Sequence, residues 1–496
     1  MPSPLGRISQ QRLEKLKQLR EAGIEPYPNR FKRTHTTQEA IALLERHEAS
    51  PGKAEPVATI AGRVVAYRSM GKIAFMDLRD GTGKIQLYFP KNSLGEAILN
   101  LLGELDIGDI IGARGRLFRT RTQEPTVEVR EMALLAKSLQ PLPEKWHGLT
   151  DVEKRYRQRY LDLIANAETK DIFQKRSRII SAIRRFLDER GFIEVETPVL
   201  QPSAGGALAN PFVTHHNALD QDFYLRIALE LHLKRLIVAG FDKVYEIGRI
   251  FRNEGVSTQH HPEFTMLESY EAYADYEDVM VMVEEMVARV SREVLDSTSV
   301  KYGEDTIDFQ PPWPRVSLRE AVKKHSGIDF VKYPTADGLR EKMRSLKMDA
   351  DPQKNWAKLV DELFKTFVKP KLIQPTFIVD YPASMSPLAK QKPGEERVVE
   401  RFQALAGGLE IANAYTELND PLEQRARFEE QLKERVDATG ERWTIDEDYL
   451  LALEHGMPPT GGLGVGIDRL VMLLTNQSAI REVILFPQLK EKTQGV

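Results

Sequence analysis

The chain has 496 residues, no cysteine and a net charge of -3, with 41% hydrophobic and 29% charged residues. That length calls for two or more domains, the charge excludes a polycation that binds nucleic acid over its whole surface, and the missing cysteines exclude disulfides and thiolate-held zinc. No apolar run approaches the roughly 18 residues of a membrane span, and the charged N-terminus has no signal-peptide core, so the expected location is cytoplasmic.

Residues 9–22 are expected to form a surface or docking helix. Ser9 is its N-cap, Leu13, Leu16 and Leu19 form a stripe, and Gly23 is its stop. "GIEPYPNRF" then breaks regular structure, and 1–56 reads as an N-terminal helical extension. From Val57 the texture becomes alternating. About five short strands in 57–138, separated by Gly-containing turns, predict an all-β barrel. This piece carries 12 Lys and Arg against 9 Asp and Glu, an excess that a solvated surface explains as well as a nucleic-acid face does. Residues 139–165 read as a linker: a Pro-rich stretch, then "EKRYRQRYLDL" as a joining helix. "KDIFQKRSRIISAIRRFLDERGF" is a long amphipathic helix stopped at Gly191, and "FIEVETPVL" is a strand ending at Pro198. Residues 166–496 form one large α+β domain, with a helical insertion at about 275–375.

Two segments carry unusual chemistry. "TGGLGVGIDRL" resembles a phosphate loop but fails the G-x-G-x-x-G test from both Gly462 and Gly464, and no G-x-x-x-x-G-K-[ST] occurs in the chain. What remains is a glycine-rich strand entering a helix capped by Asp468, with Arg469 in the first turn, where anions are favoured. A plain strand–helix junction with a solvent-facing arginine explains it equally well.

In "FRNEGVSTQHHPEFTMLESY" the alternation places Glu246, Gly248, Ile250, Arg252 and Glu254 on one strand face. Phe264, Met266, Glu268 and Tyr270 share a face of the next strand. Met266 is read as core. In "GLEIANAYTELND", Ile411, Asn413, Tyr415 and Glu417 share one face and Glu410 lies on the other. A core-facing strand should be apolar, so strands carrying acids, amides and aromatic rings together predict a polar pocket floor. His260 and His261 are adjacent and lack metal-site spacing. A phosphate-contacting histidine fits better than a zinc site.

Taken in order, "GFIEVETPVL", "FRNEGVSTQHHPEFTMLESY" and "GLGVGIDRLVML" resemble motifs 1, 2 and 3 of the class II aminoacyl-tRNA synthetases. "QPSAGGALANPF", "YLRIALELHLKRL", "GLEIANAYTELND" and "DEDYLLALEHGMPPTGGLG" are similar to the lysine branch of that family, and the resemblance covers nearly the whole chain. It implies an antiparallel-sheet catalytic domain preceded by an OB-fold anticodon-binding domain. It also implies activation of lysine by ATP, transfer to tRNA(Lys), Mg2+ as cofactor, and a homodimer formed through motif 1.

The resemblance assigns Arg252 and Arg469 to catalysis. Arg252 falls on the α-phosphate and substrate carboxylate, Glu254 on the adenine amino group and Phe264 on the adenine ring. Arg469 falls on the other adenine face or near the γ-phosphate, and His260 near the phosphates. Gly206 and Glu230 fall at the lysine α-amino group, and Glu268, Tyr270 and Glu417 at its ε-ammonium, with Asn413 and Tyr415 shaping the pocket. Glu410 matches a magnesium ligand, and Gln403 stands where the family has a second acidic one. Leu229 replaces a proline. In the barrel, Phe75 would stack on an anticodon base and Gln86 hydrogen-bond it, with Arg63 nearby; by the residues alone, Phe75 reads as core. Aspartyl or asparaginyl relatives share these motifs, but three acidic pocket positions argue against an acidic substrate. A synthetase-like protein that binds RNA or lysine without charging tRNA is the alternative from another class; Arg252, Glu254 and Arg469 argue against it.

Overall fold

A computed structural model describes residues 4–50, 52, 54–143, 149–203, 205, 209–348, 350–395, 397–435 and 445–490. Two compact units emerge, Met1–Thr150 and Asp151–Val496. Among the described residues no helix is long and apolar enough to cross a membrane.

In the first unit, α1 (Pro4–Glu21) starts earlier than the Ser9 cap predicts. Proline is preorganised for the first position of a helix, and the Ser9 hydroxyl instead bonds the Gln140 side chain at 3.1 Å. Gly23, at φ 74°, ends the helix region. α2 (Thr37–Ala49) begins at a reciprocal cap between Thr36 and Glu39. Five strands then close a barrel: β1 (Val57–Met70), β2 (Ile73–Arg79), β3 (Lys84–Pro90), β4 (Ile110–Arg119) and β5 (Pro125–Ala136). Their order is β1-β2-β3-β5-β4, with α3 (Glu96–Glu104) between β3 and β4. Alternation fills the inside: Ala74, Met76 and Leu78 of β2 and Leu87 and Phe89 of β3 are fully buried.

The second unit begins with α4 (Val152–Arg157) and α5 (Arg159–Ala165), two short helices broken at Gln158 where one joining helix was expected. They pack into this unit. The buried Arg159 guanidinium donates to Asp162 at 2.6 Å and to the Arg481 carbonyl at 2.8 Å. α6 (Ala167–Asp188) buries Ile179, Ile183, Phe186 and Leu187, worth about 1.5–3 kcal/mol each.

Beyond α6 the chain departs from the expected strand "FIEVETPVL". Only β6 (Ile193–Glu194) pairs with the main sheet. Pro198 has no N–H to give and restricts Thr197. The chain therefore leaves for a separate three-stranded sheet of β7 (Leu200–Gln201), β8 (Val213–His216) and β9 (Gln221–Leu225), in the order β7-β9-β8. After it come α7 (Glu230–Val238), β10 (Lys243–Phe251), β11 (Glu263–Ala272) and α8 (Tyr276–Leu295).

The stretch read as one helical insertion divides in two. α8 belongs to the principal core: Val279, Val283, Met286 and Val290 are buried with α6 and the sheet. A two-stranded ribbon follows, β12 (Ser299–Tyr302) and β13 (Asp305–Asp308), then β14 (Arg315–Ser317). α9 (Leu318–Ser326), α10 (Ala336–Ser345) and α11 (Trp356–Leu363) gather a second core around Leu339, Met343, Leu359 and Leu363, which also takes in Ile378 and Leu405 from the sheet.

The remaining elements are β15 (Thr376–Pro382), β16 (Val398–Ala406), β17 (Leu409–Thr416), α12 (Pro421–Arg435), α13 (Glu447–Glu454), β18 (Thr460–Gly466) and α14 (Ile467–Leu474). They complete an eight-stranded sheet in the order β14-β15-β16-β17-β18-β11-β10-β6, antiparallel except at its two ends. One face of it packs on α6, α8 and α14 through Tyr245, Leu267, Ala414, Leu463 and Val465. The other face holds the candidate site.

Candidate active site

A cavity of about 520 Å³ opens on the middle strands β17, β18, β11 and the end of β10. It exists because β18 is built from glycine. Gly462, Gly464 and Gly466 sit opposite Tyr270, Glu268 and Met266 of β11, and Gly462 and Gly464 also face Tyr415 and Asn413 of β17. A Cβ on Gly462 would stand 1.8 Å from the Glu417 Oε1 and 2.7 Å from the Tyr270 ring. The strand thus removes its own side chains so that its neighbours' can fill the floor. This is the structural content of "TGGLGVG". Its helix α14 is capped by Gly466 and not by Asp468. Asp468 is buried and accepts the Thr265 amide at 2.7 Å and the Arg176 guanidinium at 2.6 Å, which ties α14 to β11 and α6.

The β10–β11 hairpin has the register that alternation implied, with Glu246 across from Glu268 and Ile250 across from Phe264. Phe264, Met266, Glu268 and Tyr270 all line the cavity. Met266, expected as core, is a lining residue because glycines flank it on both sides, Gly248 and Gly466. Glu246 shares the face but does not line the cavity. It is sealed by Arg226 (2.5 Å) and Thr197 (2.7 Å).

Strand β17 departs from strict alternation. Ala404 pairs with Ala412 but Leu405 pairs with Glu410, so Ile411 is an extra residue in the ladder. Such a bulge reverses which face the preceding residues present. Ile411, expected on the pocket face, joins the principal core at 1% exposure. Glu410, expected on the far face, lines the cavity together with Asn413 and Tyr415.

The closed end of the cavity is acidic. Glu230, at the start of α7, accepts the Tyr415 hydroxyl at 2.8 Å and the Lys234 ammonium at 2.5 Å. Glu268 accepts the Leu229 amide and the Tyr270 hydroxyl, each at 3.1 Å. Glu417 pairs with Lys234 through Oε2. Burial and the neighbouring Glu230 push the Glu268 carboxyl up to about 7. Burial likewise raises Glu417, opposed by the Lys234 charge. Among the described residues Lys234 pairs with Glu230 and Glu417, the cation acting on Glu268 is Arg252, and Glu417 Oε1 has no hydrogen-bond partner. A buried acceptor left in this state favours a ligand that brings a donor and a positive charge. Asn413 is held by Arg401 at 2.9 Å. Gly206 lies outside the described residues.

The other end is cationic. Among the described residues Arg252 donates only to the Ile227 carbonyl, at 3.3 Å from both Nε and Nη2. Its guanidinium lies 5.2 Å from the Phe264 ring centre. Glu254 is exposed in the loop between β10 and β11 and lines the cavity. Arg469 bonds the Glu410 carbonyl at 3.2 Å and stands 3.5 Å from His260 Nε2. Burial, then the charge of Arg469, lowers the His260 imidazole below its usual value, which keeps it neutral at pH 7. The two histidines part company: His260 Nδ1 meets Ser257 at 2.9 Å, while the buried His261 accepts the Gln488 amide at 2.9 Å. Among the described residues there is no cluster of three metal-ligating side chains. The Gln403 oxygen already accepts the Tyr381 hydroxyl at 2.7 Å.

In the barrel, Phe75 faces outward between the buried Ala74 and Met76. It continues a row of rings: Tyr88 at 5.3 Å and Phe118 a further 5.9 Å on. Gln86 is on the same outer surface and accepts the Thr126 hydroxyl at 3.1 Å. Arg68, not Arg63, stands directly across from Phe75. Arg63 pairs with Arg79 and donates to the Gly108 carbonyl at 2.7 Å. The sequence reading passed over Tyr88, Phe118, Lys234 and Arg401. Alternation in "KIQLYF" could have found Tyr88, and Lys234 lies four residues from Glu230 on one helix face.

Residues 151–490 match the family model described as tRNA synthetases class II (D, K and N), and residues 58–135 match that of an OB-fold nucleic acid binding domain. The chain is 61% identical over 486 residues to a Dehalococcoides mccartyi protein named lysine–tRNA ligase, covering 98% of each chain. A protein of the same name from Moorella thermoacetica is 56% identical, over 97% of this chain and 98% of that one. Another, from Chloroflexus aurantiacus, is 53% identical over 99% of each.

Proposed function

The chain belongs to the class II tRNA synthetases of the D, K and N group, and from that premise we propose that it acts as a lysine–tRNA ligase. Lysine's carboxylate attacks the α-phosphorus of ATP, the bond to the β-phosphate breaks, and lysyl-adenylate and pyrophosphate result. The 3′-terminal ribose hydroxyl of tRNA(Lys) then attacks the acyl carbon and AMP leaves.

The single observation that carries the choice of amino acid is the acidic closed end. Glu230 and Glu417 share the single ammonium of Lys234, Glu268 is buried beside Glu230, and among the described residues Glu417 Oε1 has no hydrogen-bond partner. The ε-ammonium of lysine answers that deficit at Glu268, Tyr270 and Glu417. Glu230, with Gly206, takes the α-amino group, while Asn413 and Tyr415 shape the wall. Aspartate or asparagine would leave buried carboxylates without a cation, which is how such sites discriminate.

The nucleotide takes the opposite end. The free donors of Arg252 suit the α-phosphate and the lysine carboxylate together. Phe264 carries the adenine, Glu254 its amino group, and Arg469 and His260 the phosphate side. Arg252 and Arg469 stabilise charge as it moves to the leaving pyrophosphate. Magnesium commonly binds through one or two carboxylates plus substrate phosphates. Glu410 fits the first requirement, and the ion's chemistry would be to neutralise phosphate charge. In the barrel, the outward ring Phe75, with Gln86 and the basic neighbours Arg63 and Arg68, suits an unstacked anticodon base.

A homodimer is the proposed assembly. Ile193, Val199, Leu200 and Val213 are apolar and exposed around motif 1, and a monomeric sedimentation coefficient would overturn that assembly. The proposed location is the cytoplasm. The function itself is tested by ATP–pyrophosphate exchange with lysine, aspartate and asparagine in turn. Lysine-dependent exchange is expected, and its absence overturns the reading.

A further inference from the structure

Two cations beside the cavity have no part in the account above. Lys365 lines the cavity, and Lys369 is half-buried within electrostatic reach of Glu410, Arg469 and Lys365. Both belong to the segment after α11, where the chain makes a π-helical turn, Phe364–Val368, followed by a 3₁₀ turn, Lys369–Lys371. π turns are rare and recur at functional sites. Lys365 pairs at 2.6 Å with Asp361, four residues earlier, in a largely exposed contact that is weak and readily exchanged. Lys369 has no hydrogen-bond or ion-pair partner among the described residues. An ammonium group half out of water with no carboxylate in direct contact is costly, so the arrangement suits an anion.

The acids at this end are too few to supply one, or to gather several divalent ions. Glu254 and Glu410 line it, and Asp361 lies beside Lys365 and Lys369. Asp468 is consumed by Thr265 and Arg176, and Gln403 brings an amide already engaged by Tyr381. Against these stand Arg252, Arg469, Lys365 and Lys369. A bound triphosphate is a polyanion whose charge must be met by protein cations, metal ions or both.

We propose that Lys365 and Lys369 bind the β- and γ-phosphates of ATP and the departing pyrophosphate. In this role their ammonium groups supply positive charge that a further divalent ion would otherwise bring. The proposal rests on the nucleotide reading of the cavity given above. Lysine is suited to it, as a compact point charge on a flexible stem.

The test compares the wild type with Lys365→Gln, Lys369→Gln and the double variant in the full-length protein. Binding of inorganic pyrophosphate and of AMP is measured by calorimetry in EDTA, and lysine-dependent exchange across a range of Mg2+. In the double variant pyrophosphate affinity is expected to fall about tenfold or more, as for lost charge-assisted bonds. AMP affinity and the KM for lysine stay close to wild type, the KM for ATP rises, and exchange requires more Mg2+. Lys369→Arg is expected to keep pyrophosphate binding. Unchanged pyrophosphate affinity in the double variant overturns the proposal, as does an equal loss of AMP and pyrophosphate binding. If the wild type itself shows no AMP binding and no lysine-dependent exchange, the nucleotide reading fails, and this proposal with it.

Discussion

Glu417 lines the cavity and pairs with Lys234 where both side chains are almost wholly shielded from water, and among the described residues its second oxygen has no hydrogen-bond partner. A carboxylate that has a buried lysine behind it, and still keeps an oxygen unmet, suits the second ammonium proposed for it. Glu417→Gln keeps the shape and removes the charge. The KM for lysine is expected to rise on the order of a hundredfold or more, since losing one partner of a buried charged pair costs about 3–5 kcal/mol. The KM for ATP stays near wild type. Exchange kinetics at varied lysine measure both, and a lysine KM within about threefold of wild type refutes the role.

Proton linkage follows from the same cluster. Glu268 titrates at about 7 in the folded protein against an ordinary value of 4.5. Between those values the folded state holds a proton that the unfolded chain has released, so lysine-free protein loses stability as pH rises through this window. With the lysine ε-ammonium at Glu268, as proposed, binding needs the carboxylate ionised and expels that proton. Lysine affinity is therefore expected to increase with pH up to about 7, with proton release visible as a buffer-dependent heat of binding. A buffer-independent heat at pH 6.5 would contradict the linkage.

Gly462 and Gly464 look alike in sequence and differ in space. A Cβ at Gly462 meets Glu417 Oε1 at 1.8 Å, whereas at Gly464 nothing lies closer than 3.7 Å. Gly462→Ala is expected to lower stability by about 1–3 kcal/mol, as overpacking does, and to abolish measurable lysine activation. Gly464→Ala leaves the melting temperature nearly unchanged. Equal melting temperatures for the two variants would show that the close approach is not a constraint.

The barrel's outward rings can be removed without touching its core. Phe75→Ala and Tyr88→Ala are each expected to reduce kcat/KM for tRNA by about five- to a hundredfold, since base–aromatic stacking is worth about 1–3 kcal/mol. Lysine-dependent exchange and the melting temperature stay near wild type. Unchanged tRNA kinetics in both variants would remove the aromatic row from anticodon recognition.

Much of this site was readable from one-dimensional periodicity. "EFTMLESY" placed Phe264, Glu268 and Tyr270 on one face because side chains alternate along any extended strand, and that regularity is local. The amphipathic stripe of α6 and the inward residues of β2 and β3 are legible for the same reason. The family motifs supplied the order of the parts and the roles proposed for Arg252 and Arg469.

Where neighbouring strands decide, periodicity failed. Nothing within "GLEIANAY" announces the bulge at Ile411, because an extra residue in a ladder is defined only against the partner strand β16. That single residue brings Glu410 to the cavity and sinks Ile411 into the core beneath it. Met266 became a lining residue only because two glycines flank it. "FIEVETPVL" lost most of its strand once Pro198 withdrew a donor. Lys234 meets its second carboxylate, Glu417, and Lys369 comes within reach of Glu410 and Arg469, only when the fold brings distant segments together. Local backbone geometry is encoded by adjacent residues and so could be read from the sequence. Burial, unmet charge and the space left by missing side chains are properties of elements brought together, and only the folded sheet decides them.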